Sequence, residues 1–399
     1  MGKILLVAPV LPVDVLETIS ILERNDLLDC VVTRYSPSPA LMNVLRRSSL
    51  TRRFAKRPIA PIAPSRKRQS LLADLAYYFA RPLSRTRAVD YSFSVVDRIA
   101  SRRLRKELAA VLAREDSAIA SFRRATELGL KKIYALPTAY WGTVRRLMEQ
   151  EEQEFAQICR AAIDEAREAH DRLERKDAEL GMADFVLAPS RFVAESLAEA
   201  PKVTARVEVL TFGCNTDWKI RAAPEARPIF LYAGNITMRK GVHRLLKAWK
   251  KLNAHRAAEL RLIGDMFLDE KFLRDYRGTY THIPRLPRAE LQKHYAAASG
   301  FVFNAMADGF GYVMAEAMSC GVPVIASKNS GAPDFIDDKR DGVLVNYGAQ
   351  AELEAALDWA LIHPMDLAAM GRAAREKTAS LTWQAYGEKL IAWLRRDVM

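Results

Sequence analysis

The feature that most restricts the fold is an alternation that starts twice: short apolar runs, each followed by an amphipathic helical stretch. "KILLVAPV" opens the chain as an unbroken apolar run, the pattern of a strand buried on both faces of a parallel sheet. "DSAIASFRRATELGLKKIYALPT" reads as a helix stopped at Gly129 and then a strand, and residues 143–182 as a long, charge-rich helical stretch. "ADFVLAPSRFVAESLAEA" runs from strand into helix with Ser190 as N-cap, and "RVEVLTFGCN" is another strand. "TDWKIRAAPEARP" has the composition of a linker. The alternation then resumes, from strand "PIFLYAGN" and helix "KGVHRLLKAWKKL" through strand "GFVFNA" and helix "GYVMAEAMSCG" to helix "AELEAALDWALI". Such alternation builds doubly wound parallel sheets, and 399 residues suit two domains. The expected fold class is α/β, with two facing Rossmann-like doubly wound domains and a cleft between them. Residues 40–110 resist assignment, apart from "RPIAPIAPSRKR", which reads as a loop.

Several function classes are disfavoured by composition. The four cysteines, Cys30, Cys159, Cys214 and Cys320, are scattered without a CxxC pair, against a disulfide framework or zinc site. The apolar start is short, ends at Asp14 and lacks a small-residue cleavage site, so it reads as a first strand rather than a signal peptide. No apolar run reaches the roughly 18 residues of a membrane span, and a cytoplasmic location is expected. The net charge of +13 is concentrated: Arg46–Lys106 holds 17 Lys and Arg against 3 acids. Leu71, Leu72, Leu75, Tyr77, Tyr78 and Phe79 lie inside that segment. Apolar groups flanked by basic ones suit a peripheral contact with an anionic membrane, the plainer alternative being a solvated helical face. A nucleic-acid partner is not expected, since charge alone brings no binding motif.

Three segments carry chemistry. In "ADGFGYVMAEAMSCGVPVIAS" (307–327) Asp308 and Glu316 are the only charged residues. Asp308 falls on the loop after a strand and Glu316 in the second turn of the following helix, about 80° past alignment on one helical face. They can still flank one cavity. Between them Gly309, Phe310, Gly311 and Tyr312 offer backbone amides at a helix N-terminus, where an anion is favoured. The carboxylates would accept hydrogen bonds from hydroxyls on either side of a diphosphate; alternatively Asp308 is only a cap and Glu316 a satisfied buried acid. "AGNITMRKG" (233–241) is a second strand-to-helix passage, with Gly234 and Asn235 at the strand end and Arg239 and Lys240 at the helix entrance. Such cations suit phosphate, although the segment is not a P-loop. "SKNSGAPDFI" is a polar turn on the same sheet edge.

Jointly these segments resemble the retaining glycosyltransferases of the GT-B fold, family 4 (glycosyl transferases group 1). Asp308 and Glu316 match the family's acid–seven residues–acid motif, "FLYAGNITMRKGVHRLLKAW" its phosphate-binding strand and helix, and "ADFVLAPSRFVAESL" its last unit before the hinge. The resemblance is strong from about Ala183 onward. It implies an acceptor-binding domain at 1–215, a nucleotide-sugar domain at 216–382, and a final helix, 383–399, that crosses back to the first domain.

It further implies an enzyme that moves a sugar from a nucleoside-diphosphate donor to an acceptor hydroxyl with retained configuration, in bacterial-type polysaccharide or glycolipid biosynthesis. No metal or other cofactor is expected. Lys240, with Arg239, would contact the donor diphosphate, Glu316 the ribose and Asp308 the sugar, while Ile283 and Arg285 in "THIPRLPR" border the base. Three departures stand out: Asp308 where glutamate is usual, Asn235 where arginine is common, and a first loop, "APVLPVD", without glycine. The acceptor, a carbohydrate or lipid-linked one, would meet Thr138, Tyr140 and Trp141 in "LPTAYWGT", unless these aromatics simply pack in the core. A nucleotide-sugar 2-epimerase shares the architecture, but its acid/base carboxylates and histidines cannot be placed here.

Overall fold

The computed structural model describes residues 2–34, 66–70, 77, 85–166, 170–201, 203–215, 218 and 227–399. Among these, thirteen strands form two sheets. The first contains β1 (Lys3–Val7), β2 (Leu28–Arg34), β3 (Lys67–Ser70), β4 (Leu108–Arg114), β5 (Lys131–Ala135), β6 (Phe185–Ala188) and β7 (Arg206–Val209), in the order β3-β2-β1-β4-β5-β6-β7. The second contains β8 (Ile229–Ala233), β9 (Glu259–Ile263), β10 (Thr281–Ile283), β11 (Gly300–Phe303), β12 (Val324–Ser327) and β13 (Gly342–Val345), in the order β10-β9-β8-β11-β12-β13. Neighbouring strands are parallel throughout both sheets. These are the two doubly wound α/β domains expected from the alternation.

Burial explains the strand pattern. All five residues of β8 and all four of β11 and β12 are buried. In β1, Ile4 and Leu6 face one half of the core and Leu5 and Val7 the other, as the two-residue strand period requires. Onto the Ile4/Leu6 face packs the helix Trp383–Trp393, through Leu390, Ile391 and Trp393. Thr382 caps it by accepting from the Ala385 amide at 3.1 Å, and Gly387 rests on Ile21 of the helix Val13–Arg24. The end of the chain is thus part of the first domain's core.

Four local readings change. Lys67 and Arg68, expected at the end of a loop, open β3, half-buried beside β2. β4, in the stretch that resisted assignment, is a central strand; "LAAVLAR" carries no helix–strand preference until burial on both faces decides. The helical stretch expected at 143–182 is helix over Trp141–Ala166 and His170–Met182, and the first of these segments breaks at Phe155 (φ −126°, ψ 41°). Thr281–Ile283, expected in a loop, forms edge strand β10. Most of the basic segment, with Leu71, Leu72, Leu75, Tyr78 and Phe79, lies outside the described residues, as does nearly all of the linker.

Candidate active site

Each sheet reverses its strand order beside its first strand: β1 lies between β2 and β4, and β8 between β9 and β11. Loops leaving such neighbours diverge and open a crevice beyond the carboxyl ends. In the second domain those loops are residues 234–241 and 304–311, which hold the candidate residues.

The two loops are stitched together. Met306 donates to the Arg239 carbonyl at 2.9 Å, and Arg239 Nε returns a bond to the Ala307 carbonyl at 3.2 Å. Gly241 begins the helix Val242–Lys251 with φ +67°, and a Cβ there would lie 1.6 Å from the Asn304 carbonyl oxygen, so only glycine permits this approach. Lys240 Nζ bonds directly to Asp308 Oδ2. The other oxygen, Oδ1, accepts from the Phe310 amide at 3.1 Å, and the Asp308 amide donates to the Asn329 carbonyl at 3.0 Å. Gly311 caps the helix Tyr312–Ser319, whose leading amides at Tyr312 and Val313 have no preceding turn to bond. A cation, a carboxylate and a helix N-terminus therefore share one spot.

Glu316, half-buried, stands in the second turn of that helix. It accepts from the Tyr295 hydroxyl at 3.2 Å, and burial pushes its carboxyl above the usual range despite the opposing pull of Arg288. Nearby Cys214 is raised to about 12, first by burial and then by Glu316 itself. Gly234 and Asn235 are exposed at the crevice rim, where the Asn235 carbonyl accepts from the Tyr232 hydroxyl at 2.8 Å. Ile283 ends β10, and Arg285 is largely exposed, 3.9 Å from Asp265.

The opposite wall is the matching crevice of the first domain. Its lining is mostly apolar (Leu6, Ala8, Pro137, Ala188, Pro189 and Phe212 among others), with one charged pair, Asp14 and Arg114 at 2.5 Å, and one hydroxyl pair, Thr18 and Tyr386 at 3.1 Å. The Phe212 ring lies parallel to Tyr312 at 5.8 Å and edge-on to Phe310 at 5.7 Å, so an aromatic contact joins the walls. Beside it the domains touch main chain to main chain: a Cβ on Gly309 would lie 1.9 Å from the Pro137 carbonyl oxygen, with the Thr138 Cα at 3.4 Å.

Of the acceptor-side candidates, half-buried Thr138 stands at this contact. Tyr140 and Trp141 do not: the Tyr140 hydroxyl and Trp141 Nε1 both donate to Asp177 Oδ1, at 2.9 and 2.8 Å. That carboxylate turns them into the first domain, the core-packing alternative. Sequence reading missed Asp14, Arg114, Phe212, Arg288 and Asn304, whose buried Oδ1 has no hydrogen-bond partner. Only Arg114 lay outside every segment quoted above: Asp14 ends "APVLPVD", Phe212 lies in "RVEVLTFGCN", Arg288 ends "THIPRLPR" and Asn304 lies in "GFVFNA", but none of the four was read as a site residue.

Two facing doubly wound domains, with the charged loops on the second domain's edge, define the GT-B architecture. Residues 215–377 match the family model "Glycosyl transferases group 1". The chain is 37% identical over 112 residues to a D-inositol 3-phosphate glycosyltransferase of Segniliparus rotundus, covering 28% of this chain and 25% of that protein. It spans less than two thirds of the length of the curated relatives it matches. Sucrose-phosphate synthase from Thermosynechococcus elongatus superposes with a TM-score of 0.67 at 17% identity, over 99% of both chains. HepE from Anabaena, solved with UDP, gives 0.62 at 14% identity, over 99% of this chain and all of that one. Both structures share the fold. Among the described residues no helix is long and apolar enough to cross a membrane.

Proposed function

We propose that the protein transfers a sugar from a nucleoside-diphosphate donor to an acceptor hydroxyl with retained configuration, in polysaccharide or glycolipid biosynthesis. The observation that carries the reading is the Lys240–Asp308 pair at the head of the helix Tyr312–Ser319, inside the segment that matches the family. A diphosphate entering there meets an ammonium, the Arg239 guanidinium and helix amides. Lys240 exchanges Asp308 for phosphate, and Asp308 is released to accept from a sugar hydroxyl. Neutralising the departing diphosphate lowers the barrier to breaking the glycosidic bond. Glu316 holds the ribose, and the apolar crevice opposite excludes water from the reacting centre.

These residues need no metal for charge neutralisation, and EDTA is expected to leave transfer unchanged. HepE's complex with UDP makes a nucleoside diphosphate the first ligand to try. Thermal unfolding with UDP, GDP, ADP and dTDP tests the reading: one of them at ~100 times its dissociation constant adds about 2.7 kcal/mol to the wild type. It is expected to add little to Lys240→Ala or Glu316→Ala. No shift with any nucleotide would overturn the assignment.

The acceptor is a carbohydrate or lipid-linked molecule, met at the cytoplasmic face of an anionic membrane through the basic segment Arg46–Lys106. Failure to sediment with anionic vesicles at low salt would remove the membrane contact.

A further inference from the structure

Beyond the cleft, the domains meet at a buried ionic cluster that the chemistry above does not use. The helix Trp141–Ala166 leaves the first domain and reaches the helix Val242–Lys251 of the second. Glu151, 2% exposed, accepts from Arg244 Nε at 2.9 and 3.1 Å and lies 2.6 Å from His243 Nε2, the donor of that contact. Arg244 Nη2 also bonds Glu154 at 2.6 Å, and Glu154 binds Lys247 at 2.8 Å. Phe155, where the helix axis breaks, meets the His243 ring edge-on at 4.7 Å and lies under Arg244 and Lys247, at 5.0 and 5.1 Å.

His243 and Arg244 stand in the first turn of the helix that Lys240 and Gly241 lead into. Gly241 fixes that helix to Asn304, and Arg239 is sewn to Ala307. Whatever holds the first turn of this helix therefore also holds Lys240 and, through the stitched loops, Asp308. A buried ion pair is a poor source of stability compared with apolar packing, but its directional bonds fix an orientation. The cluster is also incompletely satisfied: His243 Nδ1 and Arg244 Nη1 are buried without hydrogen-bond partners, which lowers the cost of separating the helices.

We propose that Glu151 is a positioning residue that couples the first domain to the diphosphate loop, setting the placement of Lys240 by the angle between the domains. This rests on Lys240 binding the donor diphosphate. Burial raises the Glu151 carboxyl, but the bonds from His243 and Arg244 outweigh burial and keep it below the usual range. It therefore carries charge when the helices meet.

Glu151→Gln keeps the volume and removes the charge. Calorimetric titration with the nucleoside diphosphate that stabilises the wild type, well below the melting temperature, is expected to show about tenfold weaker binding. X-ray scattering of the free protein should show a larger radius of gyration, and the donor KM should rise more than kcat falls. Glu154→Gln, on the exposed arm of the cluster, guards against a folding failure; it should weaken nucleotide binding two- to threefold while folding normally. Unchanged affinity and scattering in both variants, with a wild type that binds, would overturn the coupling alone. A wild type that binds no nucleoside diphosphate would overturn the donor assignment and the coupling with it.

Discussion

The two crevices that face each other across the cleft obey one topological rule and carry opposite chemistry. Beyond β8 and β11 the loops present Arg239, Lys240 and Asp308 with helix amides. Beyond β1 and β4 the walls are mostly apolar, and the single charged pair, Asp14–Arg114, neutralises itself. Parallel sheets supply the place, and the loops decide what it does. One wall can receive an anion; the other can exclude water and orient a neutral group against Asp14, Arg114 and the hydroxyls of Thr18 and Tyr386.

Breaking the charged wall should have the largest effect. Lys240→Ala is expected to lower kcat about 100-fold, the usual scale for losing one group that stabilises developing charge; a fall below threefold in a transfer assay would remove Lys240 from the chemistry. Altering the apolar wall should act differently. Arg114→Leu leaves Asp14 buried without its partner and should cost roughly 3 kcal/mol of stability. Nucleotide affinity, measured by calorimetry, should stay within twofold, because the donor loops are untouched.

The smallest effect is one of pH. With its carboxyl held above 4.5 by burial, Glu316 keeps a proton in the folded state that the unfolded chain has already lost. Stability from this group is full below 4.5 and declines as pH rises through the raised value. Nucleotide affinity should move the other way, since the ionised carboxylate accepts more strongly from ribose hydroxyls. Glu316→Gln should flatten both trends in paired unfolding and binding series.

The charged wall was legible because it is local. Asp308 and Glu316 sit within nine residues, and Gly234 to Gly241 within eight, so spacing alone brings each set to one sheet edge. Asp14 and Arg114 are 100 positions apart on neighbouring strands' exits, and only the strand order unites them. Tyr140 and Trp141 were acceptor-side candidates, but Asp177, 37 and 36 positions away, claims both. Glu151 is one of many charges in the helical stretch 143–182, and nothing near it in sequence announces a second domain against that face. Local chemistry can be read from spacing, whereas interfaces depend on tertiary neighbours.

Gly309 and the Pro137 carbonyl meet without any side chain between them. This contact between the walls is thus gauged by two peptide planes, which have no rotamers to exchange. A stop of this kind sets the same limit each time the cleft shuts, however mobile the surrounding side chains are. Widening it by a single methyl, as in Gly309→Ala, would act as a wedge on the hinge, leaving every polar group of the site in place but the two walls permanently ajar.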